Sequence, residues 1–131
     1  MFAPGFGKET MEVADFPAGP AWLARHHVED PRFALAVVQR FFEGLTGQAP
    51  LPYPTDPTAA DASARLGAWE AQDATLRAIA AAYTKDKENA RTVVRAILLS
   101  PYFRASGIDA KAKPEDVARL AGIGTARLST P

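Results

Sequence analysis

Proline placement constrains this chain more than any other feature. Eleven prolines share 131 residues with abundant alanine, a combination that reads as contradictory until their positions are followed. They fall between the periodic apolar segments or at the first residue of one, the positions where a helix tolerates a ring that fixes φ and removes an amide donor. A chain punctuated in this way folds into separate helices joined by stiff connections. No segment shows sustained apolar/polar alternation with β-branched enrichment, and no repeat of ~20–50 residues is visible, so a sheet or a solenoid is not expected. The expected fold is all-α, a small irregular bundle of about four to six helices with a proline-rich connector.

Residues 1–19 hold Pro4, Gly5, Gly7, Pro17 and Gly19 with little periodicity, and read as an irregular lead-in to a single helical domain over 20–131. Pro20 opens a short helix carrying Trp22 and Leu23. Asp30-Pro31 is the clearest start, an N-cap carboxylate followed by proline at N1. Phe33, Val37, Phe41 and Leu45 then recur every fourth residue, widened by Leu35, Val38 and Phe42. A helix this apolar around its circumference is expected at the centre, and Gly47 supplies its stop. Pro50, Pro52, Pro54 and Pro57 make Gln48 to Pro57 an extended connection pinned by Leu51 and Tyr53. A second helical stretch runs from about Thr58 to Thr84, with Leu66, Trp69, Leu76, Ile79, Ala80 and Tyr83 on its apolar face and a break expected at Gly67. Beyond the charged turn Lys85 to Glu88, Asn89 caps a third helix to Leu99 with Val93, Val94, Ile97 and Leu98 as core stripe. Ser100-Pro101 starts a short helix with Tyr102 and Phe103, and Pro114 another, carrying Val117 and Leu120 and ending at Gly122.

Composition narrows function mainly by exclusion. Fifteen basic and fifteen acidic side chains leave no net charge, unlike a dedicated nucleic-acid binder, which needs a positive field to displace counterions. The absence of cysteine removes disulfides, thiolate metal sites, a cysteine nucleophile and covalent haem attachment within the chain, and fits an oxidising or a reducing compartment equally well. No apolar run reaches the ~18 residues of a membrane span, and Met1 to Thr10 lacks the pattern of a signal peptide.

Two motifs carry a resemblance. Asp30-Pro31-Arg32-Phe33 opens a helix ending Leu45-Thr46-Gly47, and Val94-Arg95-Ala96-Ile97-Leu98-Leu99-Ser100-Pro101-Tyr102-Phe103-Arg104 is followed by Ala126-Arg127-Leu128-Ser129-Thr130-Pro131. Together, over roughly residues 20–131, these resemble helical domains of unknown function in large exported bacterial proteins of the planctomycete-cytochrome-associated group. The resemblance implies a periplasmic or extracellular setting, a place in a larger protein or assembly, and a c-type cytochrome among the neighbouring modules; it implies no catalytic residues. Thr130-Pro131 repeats the cap-plus-proline grammar of Asp30-Pro31, and in similar proteins that motif runs into a further helix. The turn Lys85 to Glu88 departs from the group's pattern.

Candidate chemistry is sparse. His26 and His27 are adjacent, point ~100° apart on a helix, and cannot chelate one metal together. Glu70 and Asp73, near Trp69, are a candidate acid pair, with surface carboxylates beside a core tryptophan as the simpler interpretation; Gln72 and Ala71 flank them on the expected solvated face. Asp61 and Arg65 read as a helix-surface pair, and Arg32 and Arg104 as bridges to carboxylates such as Glu29 or Asp30. A helix-turn-helix over 89–105 is too short at Pro101–Ala105 to lie along a groove, and the glycine pairs Gly5/Gly7 and Gly122/Gly124 lack the strand and spacing of a phosphate loop. The expected role is a non-catalytic structural or interaction module, with no metal or cofactor and a candidate interface formed by Phe2, Phe6, Phe16, Trp22, Tyr53 and Leu128. Expected partners are protein: neighbouring domains, a c-type cytochrome or a second copy. The alternative is an enzyme accessory or hydrolase-like domain using the acids near Trp69 or the His26-His27 pair.

Overall fold

The computed structural model describes residues 10–105, 109, 111–114 and 117. A 3-10 helix, Val13–Ala18, leads into α1 (Gly19–Glu29), α2 (Pro31–Thr46), α3 (Ala62–Lys85), α4 (Ala90–Leu99) and α5 (Pro101–Arg104). No strand occurs among the described residues, and the fold is all-α.

The helix boundaries follow from single residues. Asp30 ends α1 and caps α2: it is held extended at ψ 126 because proline follows, and its carboxylate accepts the Arg32 amide at 2.8 Å. At the other end of α2, Gly47 takes φ 70, a left-handed conformation that suits glycine, and its amide donates to the Glu43 carbonyl at 2.9 Å. Asn89 caps α4 as its position predicts, accepting from the Arg91 amide at 3.1 Å.

The core is built by α2, α3 and α4, with α5 closing one end. Ala34, Val38 and Phe42 of α2 meet Leu76, Ile79, Ala80 and Tyr83 of α3, Val93 and Ile97 of α4, and Tyr102 of α5. Helix α2 touches every other α-helix, the central place its all-round apolarity predicts. Its deepest line is nevertheless Ala34, Val38, Phe42 and Thr46, while Leu35, Val37, Phe41 and Leu45 are only half-buried. Tyr102 sets its ring edge-on to Phe42, with centroids 5.7 Å apart. Burial raises the Tyr102 phenol above its ordinary pKa, a shift partly offset by a hydrogen bond with Thr75.

Four local expectations need correction. Residues 13–18 of the lead-in form a 3-10 helix in place of irregular chain, closed at its start by the Asp15 amide donating to Glu12 O at 2.9 Å. Helix α3 runs unbroken through Gly67, since one glycine costs only ~1 kcal/mol and the strong helix formers Ala64, Arg65, Leu66 and Ala68 surround it. It begins at Ala62 because Asp56 turns the preceding chain, accepting from the Thr58 amide at 2.9 Å and its hydroxyl at 2.7 Å. Ser100 does not cap α5: its hydroxyl donates back to the Ile97 carbonyl of α4 at 2.7 Å. Of the helix expected from Pro114, Pro114 and Val117 are helical, and the Val117 amide donates to Lys113 O at 3.0 Å. Leu120, Gly122 and the motif at 126–131 lie outside the described residues.

Candidate functional site

The expected interface residues are distributed over separate elements. Phe2, Phe6 and Leu128 lie outside the described residues. Phe16 projects from the 3-10 helix, and Trp22 lies half-buried on α1 against His26, ring centroids 4.0 Å apart. Tyr53 belongs to the connector and stands edge-on to Trp69 of α3 at 4.9 Å. Phe16 and Trp22 share the N-terminal arm; Tyr53 is not part of that surface.

The arm is the unusual part of the molecule. Neither the 3-10 helix nor α1 buries a single residue, and among the described residues α1 packs on α2 and on the 3-10 helix that precedes it. Its apolar side chains stay in water: Val13 is 74% exposed, Phe16 57%, Leu23 50% and Val28 43%. An eleven-residue helix is shorter than the ~12–15 residues below which an isolated helix is marginal in water, so α1 depends on what it packs against.

A second exposed apolar surface lies on α4, where the sequence pattern points to core. Val93 and Ile97 form the buried line, whereas Leu98 and Leu99 are exposed and Val94 is half-buried. Among the described residues α4 packs on α2, α3 and α5, and these five apolar positions exceed what those helices cover. Arg91 and Arg95, one turn apart, flank this face, and with Ala90, Val94, Leu98 and Leu99 they line a shallow depression of about 540 Å³. The signal was present in the sequence as arginines at i, i+4 beside Val94 and Leu98.

The connector forms the third feature. Its Leu51 amide donates at 2.6 Å to Oε1 of Gln72, a side chain 2% exposed in the middle of α3. Gln72 therefore points into the protein, opposite to the solvated placement expected for it, because it supplies the acceptor that a proline-rich connector without helix or sheet partners needs. Trp69, expected in the core, is instead half-buried and covered by Tyr53. Between the connector and the first turns of α3, Leu51, Tyr53, Asp61, Arg65 and Ala68 line a groove of about 660 Å³.

Two of the candidate carboxylates are paired locally. Asp73 pairs with Arg77 at 2.6 Å and Asp61 with Arg65 at 2.7 Å, both at i, i+4, and Glu70 is exposed. Asp30 forms an ion pair with Arg32, whose Nε lies 2.8 Å from Oδ1. The side-chain and backbone hydrogen bonds from Arg32 hold the Asp30 carboxyl down at about 2. This is the bridge expected for Arg32, at the residue that ends α1 and caps α2, whereas Arg104 carries no ion pair among the described residues. His27 sets its ring edge-on to Phe33 at 5.4 Å, so the two histidines take different aromatic neighbours. Among the described residues no three His, Asp or Glu side chains converge as a metal site, and no helix is long and apolar enough to cross a membrane.

No protein-family model, curated protein or solved structure matches the chain.

Proposed function

We propose that this chain is a non-catalytic helical docking module, working within a larger exported bacterial protein or complex whose neighbouring modules include a c-type cytochrome. The observation that carries this reading is the arm: Val13 to Glu29 contains no buried residue, yet it displays valine, phenylalanine and leucine to solvent. Several large apolar side chains left exposed on one short segment are what a docking surface would present. The cytochrome partner and the exported setting rest on the resemblance of the Asp30-Pro31 and Ser100-Pro101 motifs, and the haem would belong to the partner, because covalent attachment requires cysteines that this chain lacks. The Trp69 neighbourhood offers the hydrolase-like alternative little support, since Asp73 is committed to Arg77.

The test separates surface from scaffold. The variant Phe16→Ser/Leu23→Gln is expected to melt within ~2–4 °C of the parent chain, because substitutions at exposed positions change stability by only ~0.5 kcal/mol each. The same variant should lose the binding of a hydrophobic dye by the native chain and the rise in melting temperature on titration with an exported c-type cytochrome. A parent chain that neither binds dye nor gains stability from cytochrome contradicts the reading.

A further inference from the structure

Two surfaces left open by the bundle match one another in chemistry, and their apolar rows match in span. Val13 and Phe16 are three residues apart on the 3-10 helix, Asp15 lies between them, and Glu12 is the extended residue just before the helix, whose carbonyl accepts from the Asp15 amide. Side chains at i and i+3 of a 3-10 helix eclipse, so Val13 and Phe16 form an apolar row spanning ~6 Å along the axis, with the acidic Glu12 and Asp15 at the same end of the arm. On α4, Arg91 and Arg95 form a basic row and Val94 and Leu98 an apolar one, each again spanning ~6 Å because four residues rise at ~1.5 Å apiece. All four ionic side chains are exposed, and none carries an ion pair among the described residues.

We infer that the α4 face is the docking site for the N-terminal arm of a second copy of this chain, with Glu12 and Asp15 against Arg91 and Arg95, and Val13 and Phe16 against Val94, Leu98 and Leu99. This inference rests on the docking reading above and commits it to one partner. Opposite charges set the register, and the apolar rows supply the contact area. Reciprocal exchange, arm on face in both directions, closes a two-fold dimer and leaves no open end for a fibre. The contact is small, so the association is weak, with a dissociation constant of roughly 10–500 µM, in keeping with an area below the ~800 Å² per partner of a standard interface.

Sedimentation velocity of the full chain from ~5 µM to ~1 mM at low ionic strength tests it, since salt screens exposed pairs beyond ~10 Å at ~0.1 M. The parent chain is expected to shift from monomer to dimer and to dissociate again in added salt. Arg91→Glu/Arg95→Glu and Glu12→Arg/Asp15→Arg should each weaken association by ~10-fold or more, and the chain carrying all four reversals should recover to within ~3-fold. Far-UV helicity checks each variant; should the arm variant lose helix, Phe16→Ser provides the second measurement, with the same expected loss of dimer. A dimer indifferent to the reversals, or reversals that do not compensate one another, overturns the inference. A parent chain monomeric throughout also overturns it, while stabilisation by cytochrome would leave the docking reading standing.

Discussion

Helices α1 and α2 are consecutive and separated by one residue, yet the bundle treats them differently. In α2, Val38 and Phe42 are almost wholly withdrawn from water, and the helix contacts all its fellows. In α1 no residue is buried, although Leu23 and Val28 are as apolar as their counterparts in α2. The difference lies in available cover: α3 and α4 between them enclose one helix, and the short α5 completes the end of that core through Tyr102. The residues from Pro31 to Arg104 thus form a bundle with its own core, and those from Val13 to Glu29 form an appendage resting on one of its helices. Stability belongs to the first region, and the second is the one proposed for recognition.

The largest effect expected from that division comes from parallel truncation. Phe42→Ala should destabilise the chain by ~3–5 kcal/mol, the range for removing a buried aromatic ring, whereas Phe16→Ala should change stability by no more than ~0.5 kcal/mol. Urea unfolding of the two variants measures both; equal losses would place the arm inside the cooperative unit. A smaller effect is expected at the connector. Gln72→Ala leaves the Leu51 amide without its acceptor and should cost ~1–3 kcal/mol, with early proteolytic cleavage in 48–57 as its local sign. The smallest effect concerns the junction of the two regions. Asp30 titrates at about 2 in the folded chain against an ordinary 3.8, so its contribution to stability is complete above pH ~3.8 and is lost as pH falls toward 2. Asp30→Asn should remove that part of the acid-side decline in urea midpoint; an unchanged acid limb would show that the junction carries no linkage of its own.

Helix starts and stops were legible wherever one residue decides them. Asp30-Pro31, Gly47, Asn89 and Pro101 all sit where local backbone chemistry predicts, because capping and proline geometry act over a few residues. What sequence periodicity cannot decide is how much of an apolar face finds a neighbour. Leu98 reads as core yet is exposed, and Trp69 is covered by a tyrosine from the connector in place of the bundle. Gln72 departs from the solvated face for a related reason: its role depends on an amide 21 residues away, a relation that no helical pattern encodes. Of the candidate interface, Phe16 was legible as an apolar residue in a segment with little else to bury it. The α4 face was concealed by its own hydrophobicity, with only the spacing of Arg91 and Arg95 to mark it.

Native-state amide hydrogen exchange, followed residue by residue at low and high protein concentration, tests the central claim most directly. The account predicts slow exchange throughout the interior of α2 and α3, set by global unfolding, and exchange in α1 faster by ~100-fold or more in dilute solution, as expected for a subregion that opens at far lower free energy. Protection in α1 should rise when concentration or a bound partner covers the arm. Protection in α1 equal to that of α2, and unchanged by concentration or partner, would contradict the division of this molecule into a self-sufficient core and an arm awaiting its cover.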